Sequence, residues 1–248
     1  MKKKIKWLAM LIAGFVLGAN AAEITGGGVY YWIVTGGGEI TINAEDVASN
    51  GYFADNRLVV GHYSSDNHLI IDAANVLVNG GSGGITIGSG STNNTLELIN
   101  STTVSAGGIS IGDLGDISAT GNRLILGEGS TITISVDLSL LDGNTLEFAG
   151  GTVSVDFFRI KTGSEIVVSG NYDIGKTILS WNTISSGASY LDTADKVLDA
   201  FNAAGSGYEF ALGADGKSIQ VIPEPASVLM VVAVAGVVGF YRRFFCKI

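Results

Sequence analysis

Cysteine and proline are almost missing from this sequence. The single cysteine of the 248 residues, Cys246, lies two residues from the C-terminal end, so the rest of the chain can form no disulfide and no thiolate metal site. Both prolines, Pro223 and Pro225, also lie towards that end. Proline cannot donate to a β-sheet ladder and is confined to edges and bulges, so the proline-free body is suited to continuous strand pairing.

Positive charge is scarce as well. Between Glu23 and Ile222 the chain carries 22 acidic and seven basic residues, a net charge of −15 in that segment against −9 for the whole chain. Nucleic acid is a disfavoured partner, because affinity for phosphate depends on clustered Lys and Arg. An acidic body of this kind is typical of a soluble exported protein.

Glycine, by contrast, is abundant, with 36 residues in the chain. It recurs together with asparagine and leucine at a nearly fixed interval. The recurring sets are Asn67, Asn94 and Asn122, then Leu69, Leu96 and Leu124, and then Gly61, Gly88 and Gly112. A fixed period of this length is typical of repeat architectures. One such unit cannot bury its inner face alone, whereas stacked units build a continuous core.

The segments inside each repeat are short and apolar, with alternation of period two between Gly, Ser and Asn turns, which favours strands over helices. Three sets of equivalent strands are predicted: 57–61, 85–88 and 109–112; 69–71, 96–98 and 124–126; 76–78, 103–104 and 132–134. We therefore predict an all-β fold, a parallel β-helix or solenoid of about 27-residue coils, right-handed or a close variant with three strands per turn. A β-sandwich is the alternative. The recurring asparagines favour the helix, because stacked turn asparagines can hydrogen-bond along its axis and tolerate the left-handed conformation.

The predicted organisation has four parts. They are a signal peptide over 1–22, a β-solenoid over 23–190, a capping helix and hairpin over 191–221, and a sorting signal with a transmembrane helix over 222–248. The capping helix would begin at Asp192 or Thr193 and place Val197 and Phe201 on one face. Strands 208–212 and 218–222 flank a Gly-rich turn, which is typical of a hairpin.

The first 22 residues have the three regions of a secretory signal peptide. Four lysines among the first six residues precede an uncharged apolar run over 7–18, and Ala19, Ala21 and Ala22 supply small residues for signal peptidase. We expect cleavage after Ala21 or Ala22.

The C-terminal end has the features of a membrane anchor. Residues 226–240 carry no charge and would form a helix of about 22 Å, enough to span a bilayer marginally. Arg242 and Arg243 would remain cytoplasmic, which leaves the body outside, as the signal peptide also requires. Pro223, Glu224 and Pro225 form an extended, exposed peptide suited to an enzyme's cleft, or else a simple juxtamembrane linker.

Residues 222–248 resemble the PEP-CTERM sorting domain of Gram-negative bacteria, in which a Pro-Glu-Pro triplet precedes an apolar helix with a basic end. The resemblance implies that exosortase, a membrane-embedded transpeptidase-like enzyme, recognises Pro223, Glu224 and Pro225. It also implies that 226–240 is a transient anchor, that Arg242 and Arg243 stop transfer, and that the processed protein reaches the cell surface, often in species that produce exopolysaccharide.

No catalytic motif, phosphate-binding loop or metal-ligand spacing is evident in the body, so we predict no enzyme activity, no cofactor and no metal site. His62 and His68 are interpreted as solvated turn residues. Glu97 and Glu147 are predicted to occupy equivalent repeat positions, and so are Arg57 and Arg123. Such charges on one outer face more often decorate a solvated surface than form an acid/base pair.

These observations predict an exported structural or adhesive protein of the cell surface or extracellular matrix, with extracellular polysaccharide as a candidate partner. Two alternatives stay open, a carbohydrate-binding module and a β-helical polysaccharide lyase or hydrolase. A groove with clustered Asp, Lys and Arg would favour the enzyme, and a small polar surface the structural role. A row of exposed aromatics would favour sugar binding, for which the candidates are Tyr30, Tyr31, Trp32, Tyr52, Phe53 and Tyr63.

Overall fold

The chain folds as a parallel β-solenoid of about five turns, as seen in a computed structural model. The structure describes residues 23–26, 31–50, 57–78, 84–113, 115, 118–204 and 207–223. The central coils contribute strands to three faces of the solenoid, and equivalent strands of successive coils pair in parallel. The predicted all-β solenoid fold is confirmed.

The strands of the parallel stack fall into four groups, three that each lie on one face and one of long strands that cover two faces. The first face contains β2 (Tyr31–Thr35), β4 (Arg57–His62), β7 (Ile85–Ser89) and β10 (Ile109–Ile111). The second face contains β3 (Gly38–Asn43), β5 (Asn67–Asp72), β8 (Thr95–Ile99), β11 (Arg123–Leu126), β13 (Thr145–Phe148) and β15 (Glu165–Val168). The third face begins with β6 (Asn75–Val78) and β9 (Thr103–Ala106). The long strands β12 (Thr131–Leu140), β14 (Thr152–Ile160) and β16 (Thr177–Ile184) start on the third face and continue onto the first.

The long strands turn a corner of the solenoid. Residues 131–134 of β12 pair with β9, whereas residues 138–140 pair with β10, and the register shifts between Ile134 and Asp137. One continuous strand therefore joins the third face of one coil to the first face of the next.

The core runs along the inside of the coils. Leu69, Leu96, Leu124 and Leu146 are register partners on successive second-face strands, and all four are fully buried. Along β5, β8 and β11, buried inward side chains alternate with partly exposed outward ones. Burying one leucine side chain contributes about 1.5–3 kcal/mol. Stacked columns of this kind hold the coils together without a disulfide.

A ladder of buried asparagines runs parallel to the leucine column. The side-chain amide of Asn67 donates to Asn94 Oδ1 at 2.7 Å, that of Asn94 to Asn122 Oδ1 at 2.9 Å, and that of Asn122 to Asn144 Oδ1 at 3.0 Å. The predicted hydrogen bonding along the axis is thus confirmed. The left-handed conformation, however, belongs to the residues before the ladder, which are Asp66, Asn93, Gly121 and Gly143.

Coil length is not constant along the axis, as the spacing of the ladder shows. Asn94 follows Asn67 by 27 positions, and Asn122 follows Asn94 by 28. Asn144 follows Asn122 by only 22 positions. The predicted period therefore holds for the central coils, and the later coils are shorter because their turns contain fewer residues.

The ladder explains why glycine recurs with asparagine. Gly61 has φ +77°, and a Cβ at this position would lie 2.1 Å from Cγ of Asn94 in the next coil. Gly88 repeats the arrangement, with φ +81° and 2.2 Å to Cγ of Asn122. Only a residue without a side chain lets the asparagine lie against the preceding strand.

Both ends of the solenoid are closed by elements that differ from the repeat. β1 (Glu23–Gly26) pairs antiparallel with β2 at one end, where α1 (Ala44–Asn50) lies beside β3 and β6. At the other end, the hairpin of β17 (Glu209–Leu212) and β18 (Ser218–Ile222) pairs antiparallel with β16. Antiparallel terminal strands prevent the parallel stack from continuing into another chain.

The predicted capping helix is present as α2 (Ala194–Ala203), whose N-cap is Thr193. Phe201 is fully buried, and its ring centroid lies 5.3 Å from that of Phe148 and 5.6 Å from that of Phe210. The helix therefore covers the end of the core between the last second-face strands and the hairpin.

Neither helix in the part of the chain that the structure describes is long and apolar enough to cross a membrane. The predicted signal peptide, with Ala19, Ala21 and Ala22, lies outside the described residues. So do Glu224, Pro225, Arg242, Arg243 and the predicted anchor over 226–240.

Candidate ligand-binding groove

The predicted sorting signal begins directly after the capping hairpin. Pro223 is partly buried and follows Ile222, which pairs with Glu209 in the hairpin. The folded body therefore continues up to the first residue of the Pro-Glu-Pro triplet.

The third face carries rows of small hydroxyl side chains on its outer surface. Ser105, Thr133, Ser154 and Ser180 are register partners on β9, β12, β14 and β16. Neighbouring strands in a sheet are about 4.8 Å apart, so these side chains form an evenly spaced row along the axis. The hydroxyls of Thr133, Ser154 and Ser180 form no hydrogen bond with any residue that the structure describes.

A groove with a volume of about 520 Å³ lies over the last part of this row. Thr133, Ser154 and Ser180 lie along its length. One side is bordered by Asp156 and Asn182, whose side chains share a hydrogen bond of 2.6 Å. The turn of the capping hairpin, with Asp215 and Lys217, lies at the C-terminal end of the groove.

Hydrogen bonds hold the hairpin turn in this position. The amide of Trp181 donates to the carbonyl oxygen of Lys217 at 3.0 Å. Asp215 Oδ1 accepts hydrogen bonds from the Lys217 amide at 2.9 Å and from the Ser218 hydroxyl at 3.0 Å. These two bonds lower the pKa of Asp215, the Lys217 amide contributing most. Its carboxylate is therefore ionised at neutral pH and cannot serve as a general acid.

The groove presents hydroxyls, one amide, two carboxylates and one ammonium group, a set suited to hydrogen bonding with a polar ligand. No cluster of three or more His, Cys, Asp or Glu side chains in the described part of the chain is arranged to hold a metal ion. The sequence did not indicate this site, because β16 and β18 do not share the Asn-Gly repeat and are brought together only by the antiparallel cap.

The second face carries the charges that the repeat positions predicted. Glu97 and Glu147 both pair in register with Ile125, so their predicted equivalence is confirmed. Glu147 is buried and accepts hydrogen bonds from Arg123 and from Ser169. This carboxylate is therefore bonded to side chains of the fold itself.

The predicted equivalence of Arg57 and Arg123 is wrong. Arg57 begins β4 on the first face, whereas Arg123 begins β11 on the second face. Both arginines stand in the sequence Asn-Arg-Leu. Of these two asparagines, only Asn122, before Arg123, belongs to the ladder in the part of the chain that the structure describes. The two guanidinium groups therefore lie on different faces of the solenoid.

The two histidines lie in strands, so their interpretation as turn residues is wrong. His62 ends β4 and is exposed, with Nδ1 3.4 Å from Ser89 Oγ. His68 lies in β5, with Nδ1 3.1 Å from Glu39 and Nε2 2.8 Å from Glu97. Its imidazole links three successive second-face strands.

Exposed aromatic rings do not form a row in the described part of the chain. Tyr63 is 78% exposed, and its ring lies against Gly90. Trp32 is only partly exposed. Tyr30, Tyr52 and Phe53 lie outside the described residues, and the side chain of Tyr31 is not described.

No protein-family model, no curated protein and no solved structure matches the chain. The groove and the solenoid geometry are therefore the basis for a functional proposal.

Proposed function

We propose that this chain is an exported structural or adhesive protein of the cell surface or extracellular matrix. It would be anchored by the helix over 226–240, with the body outside, and processed by exosortase at Pro223, Glu224 and Pro225. The proposal joins the two targeting segments of the sequence to a body that folds as a capped rod of β coils.

The observation that carries the structural part of the proposal is the character of the third face. Its outward side chains on three successive strands are small and hydroxylated: Thr103, Ser105, Thr131, Thr133, Thr152 and Ser154. All of them are exposed or partly exposed. An even, hydroxyl-bearing surface on a rigid stack supports a role in adhesion or matrix structure.

The internal bonding of the body supports an extracellular role. The asparagine ladder and the leucine column link neighbouring coils with hydrogen bonds and apolar contacts, and neither depends on a disulfide or on bound metal. These contacts need neither an oxidising nor a reducing compartment, because the only cysteine of the chain, Cys246, lies beyond the body.

A β-helical lyase or hydrolase has less support. Glycosidic acid/base catalysis needs one carboxyl group with a raised pKa beside an ionised partner. In the groove, the pKa of Asp215 is lowered, and Asp156 is hydrogen-bonded to Asn182. No arginine is among the described residues that line the groove.

The test is a replacement of Pro223, Glu224 and Pro225 by alanine in the host organism, followed by fractionation and mass measurement. The proposal predicts that the variant stays in the membrane fraction at a higher mass than the processed protein. A matched control replaces the exposed turn residues Asn171, Asp173 and Ile174 by alanine and should be processed normally. Unchanged release and mass in the first variant would contradict the sorting function.

A further inference from the structure

The third-face groove has the dimensions and lining of a site for an elongated ligand. It extends over β12, β14 and β16 to the turn before β18, three strand spacings or roughly 14 Å along the axis. Its volume of about 520 Å³ lies within the usual range of ligand sites, about 300–1,000 Å³. A smaller recess beside Thr177, Ala214 and Gln220 adjoins it at the hairpin end.

The polar groups are arranged along that length. Thr133, Ser154 and Ser180 offer hydroxyls that can both donate and accept, and that form no bond to other described residues. Asp156 and Asn182 add an acceptor and a carboxamide at one side. A ligand with hydroxyls repeated along a chain can satisfy successive members of this row.

The charges of the groove select against a polyanion. The lining of the groove contains two carboxylates, those of Asp156 and Asp215, and one ammonium group, that of Lys217. The body around the groove is strongly acidic. Like charges brought together across an interface raise the free energy of the complex. Asp215 is held ionised by its two hydrogen bonds, so it contributes an acceptor for ligand hydroxyls.

We infer that this groove binds a neutral, unbranched polysaccharide chain, which lies along the solenoid axis with one end against the Asp215–Lys217 turn. The inference rests on the proposed adhesive role and names the ligand class through which that role would act. Sugar hydroxyls match the donors and acceptors of the row, and the small side chains leave room for the rings.

The experiment uses the full-length chain, purified in mild detergent, with a soluble neutral unbranched β-glucan as the probe and polygalacturonate as the polyanionic probe. Calorimetric titration measures both affinities. Ser154→Tyr fills the groove, whereas Ser105→Tyr adds the same bulk to the same row outside it, and both positions are exposed. Thermal unfolding establishes that the variants remain folded.

The expected result is measurable binding of the β-glucan that weakens by about tenfold or more in Ser154→Tyr and is unchanged in Ser105→Tyr. Failure to bind the β-glucan, or equal affinity in the two variants, would overturn the inference. Binding of polygalacturonate that is lost in Lys217→Gln would overturn it as well. Processing at the Pro-Glu-Pro triplet is measured separately in cells. A lack of ligand binding by the groove can therefore be distinguished from a lack of the proposed export.

Discussion

The side chains of Asn94 and Asn122 are joined by a hydrogen bond of 2.9 Å between two successive coils, and both residues are fully buried. Asn94 Oδ1 also accepts bonds from the backbone and side-chain amides of Asn67. Each asparagine therefore connects three coils at once.

Because Asn94 bonds to both neighbouring coils, we expect Asn94→Ala to lower the free energy of unfolding substantially. The buried backbone amide of Asn67 would lose its acceptor, and the side-chain amide of Asn67 would keep only its bonds to Ser64 and Ser65. A buried group left unsatisfied costs about 1–3 kcal/mol. We expect the free energy of unfolding, measured by urea titration, to fall by about 3 kcal/mol. Asn75→Ala is the control, since Asn75 is an exposed asparagine bonded to Thr103. Similar losses in the two variants would rule out a special role for the ladder.

We predict that position 88 requires glycine for two reasons, its positive φ and the close approach of the ladder residue Asn122. Gly88 has φ +81° and Gly175 has φ +87°, but a Cβ would meet the Asn122 side chain only at position 88 and nothing within 4 Å at position 175. Gly88→Ala should cost about 3 kcal/mol and Gly175→Ala about 1 kcal/mol. The difference between the urea midpoints of the two variants measures the cost of the clash with Asn122. Equal midpoints would show that this clash costs nothing.

The ion pair of Arg123 with Glu147 should contribute to stability, because the carboxylate is largely buried. The Glu147 side chain is only 10% exposed, so Arg123→Met would leave it with Ser169 as its remaining partner among the described residues. A loss of about 2 kcal/mol in the free energy of unfolding is expected. Lys196→Met, which removes the exposed pair with Asp192, should cause no measurable change. An unchanged stability of Arg123→Met would show that Glu147 is not held by this pair.

Because of the buried hydroxyl of Tyr172, we expect the free energy of unfolding to decline in alkaline solution. Its hydroxyl donates to the Gly151 carbonyl and accepts from the Gly150 amide, and burial raises its pKa above the ordinary value of 10.0. Above pH 10 the unfolded chain loses this proton while the folded chain keeps it, so the free energy of unfolding falls by up to about 1.4 kcal/mol per pH unit. Urea titrations from pH 8 to 11 should show a shallower decline for Tyr172→Phe than for the unchanged chain. Parallel curves for the two chains would show that Tyr172 does not contribute to the alkaline loss of stability.

The stacked coils could be predicted from the sequence because their determinants recur. Asn94 and Leu96 return in every central coil at a nearly constant interval, and each return marks one register position of a strand. The C-terminal cap was also predictable, since Thr193, Val197 and Phe201 form a local helix pattern and the hairpin surrounds a Gly-rich turn.

The groove could not be predicted, because its determinants do not recur. Ser180 meets the turn at Asp215 and Lys217 only through antiparallel pairing of segments that are far apart in the sequence. His68 shows the same limit on the second face, where its two carboxylate partners come from neighbouring coils. Contacts across coils depend on side-chain direction, which a repeat interval alone does not specify. The misplacement of Arg57 beside Arg123 has a different cause. Both residues stand in the sequence Asn-Arg-Leu, and this local pattern does not specify the face of the solenoid.

The intact mass of the protein recovered from the surface of its host tests the account most directly. The account predicts an N-terminus created by cleavage after Ala21 or Ala22 and a C-terminus created near the Pro223-Glu224-Pro225 triplet, so the mass should correspond to the solenoid with its caps. Recovery of the chain from the cytoplasm at the mass of all 248 residues would contradict export and processing together.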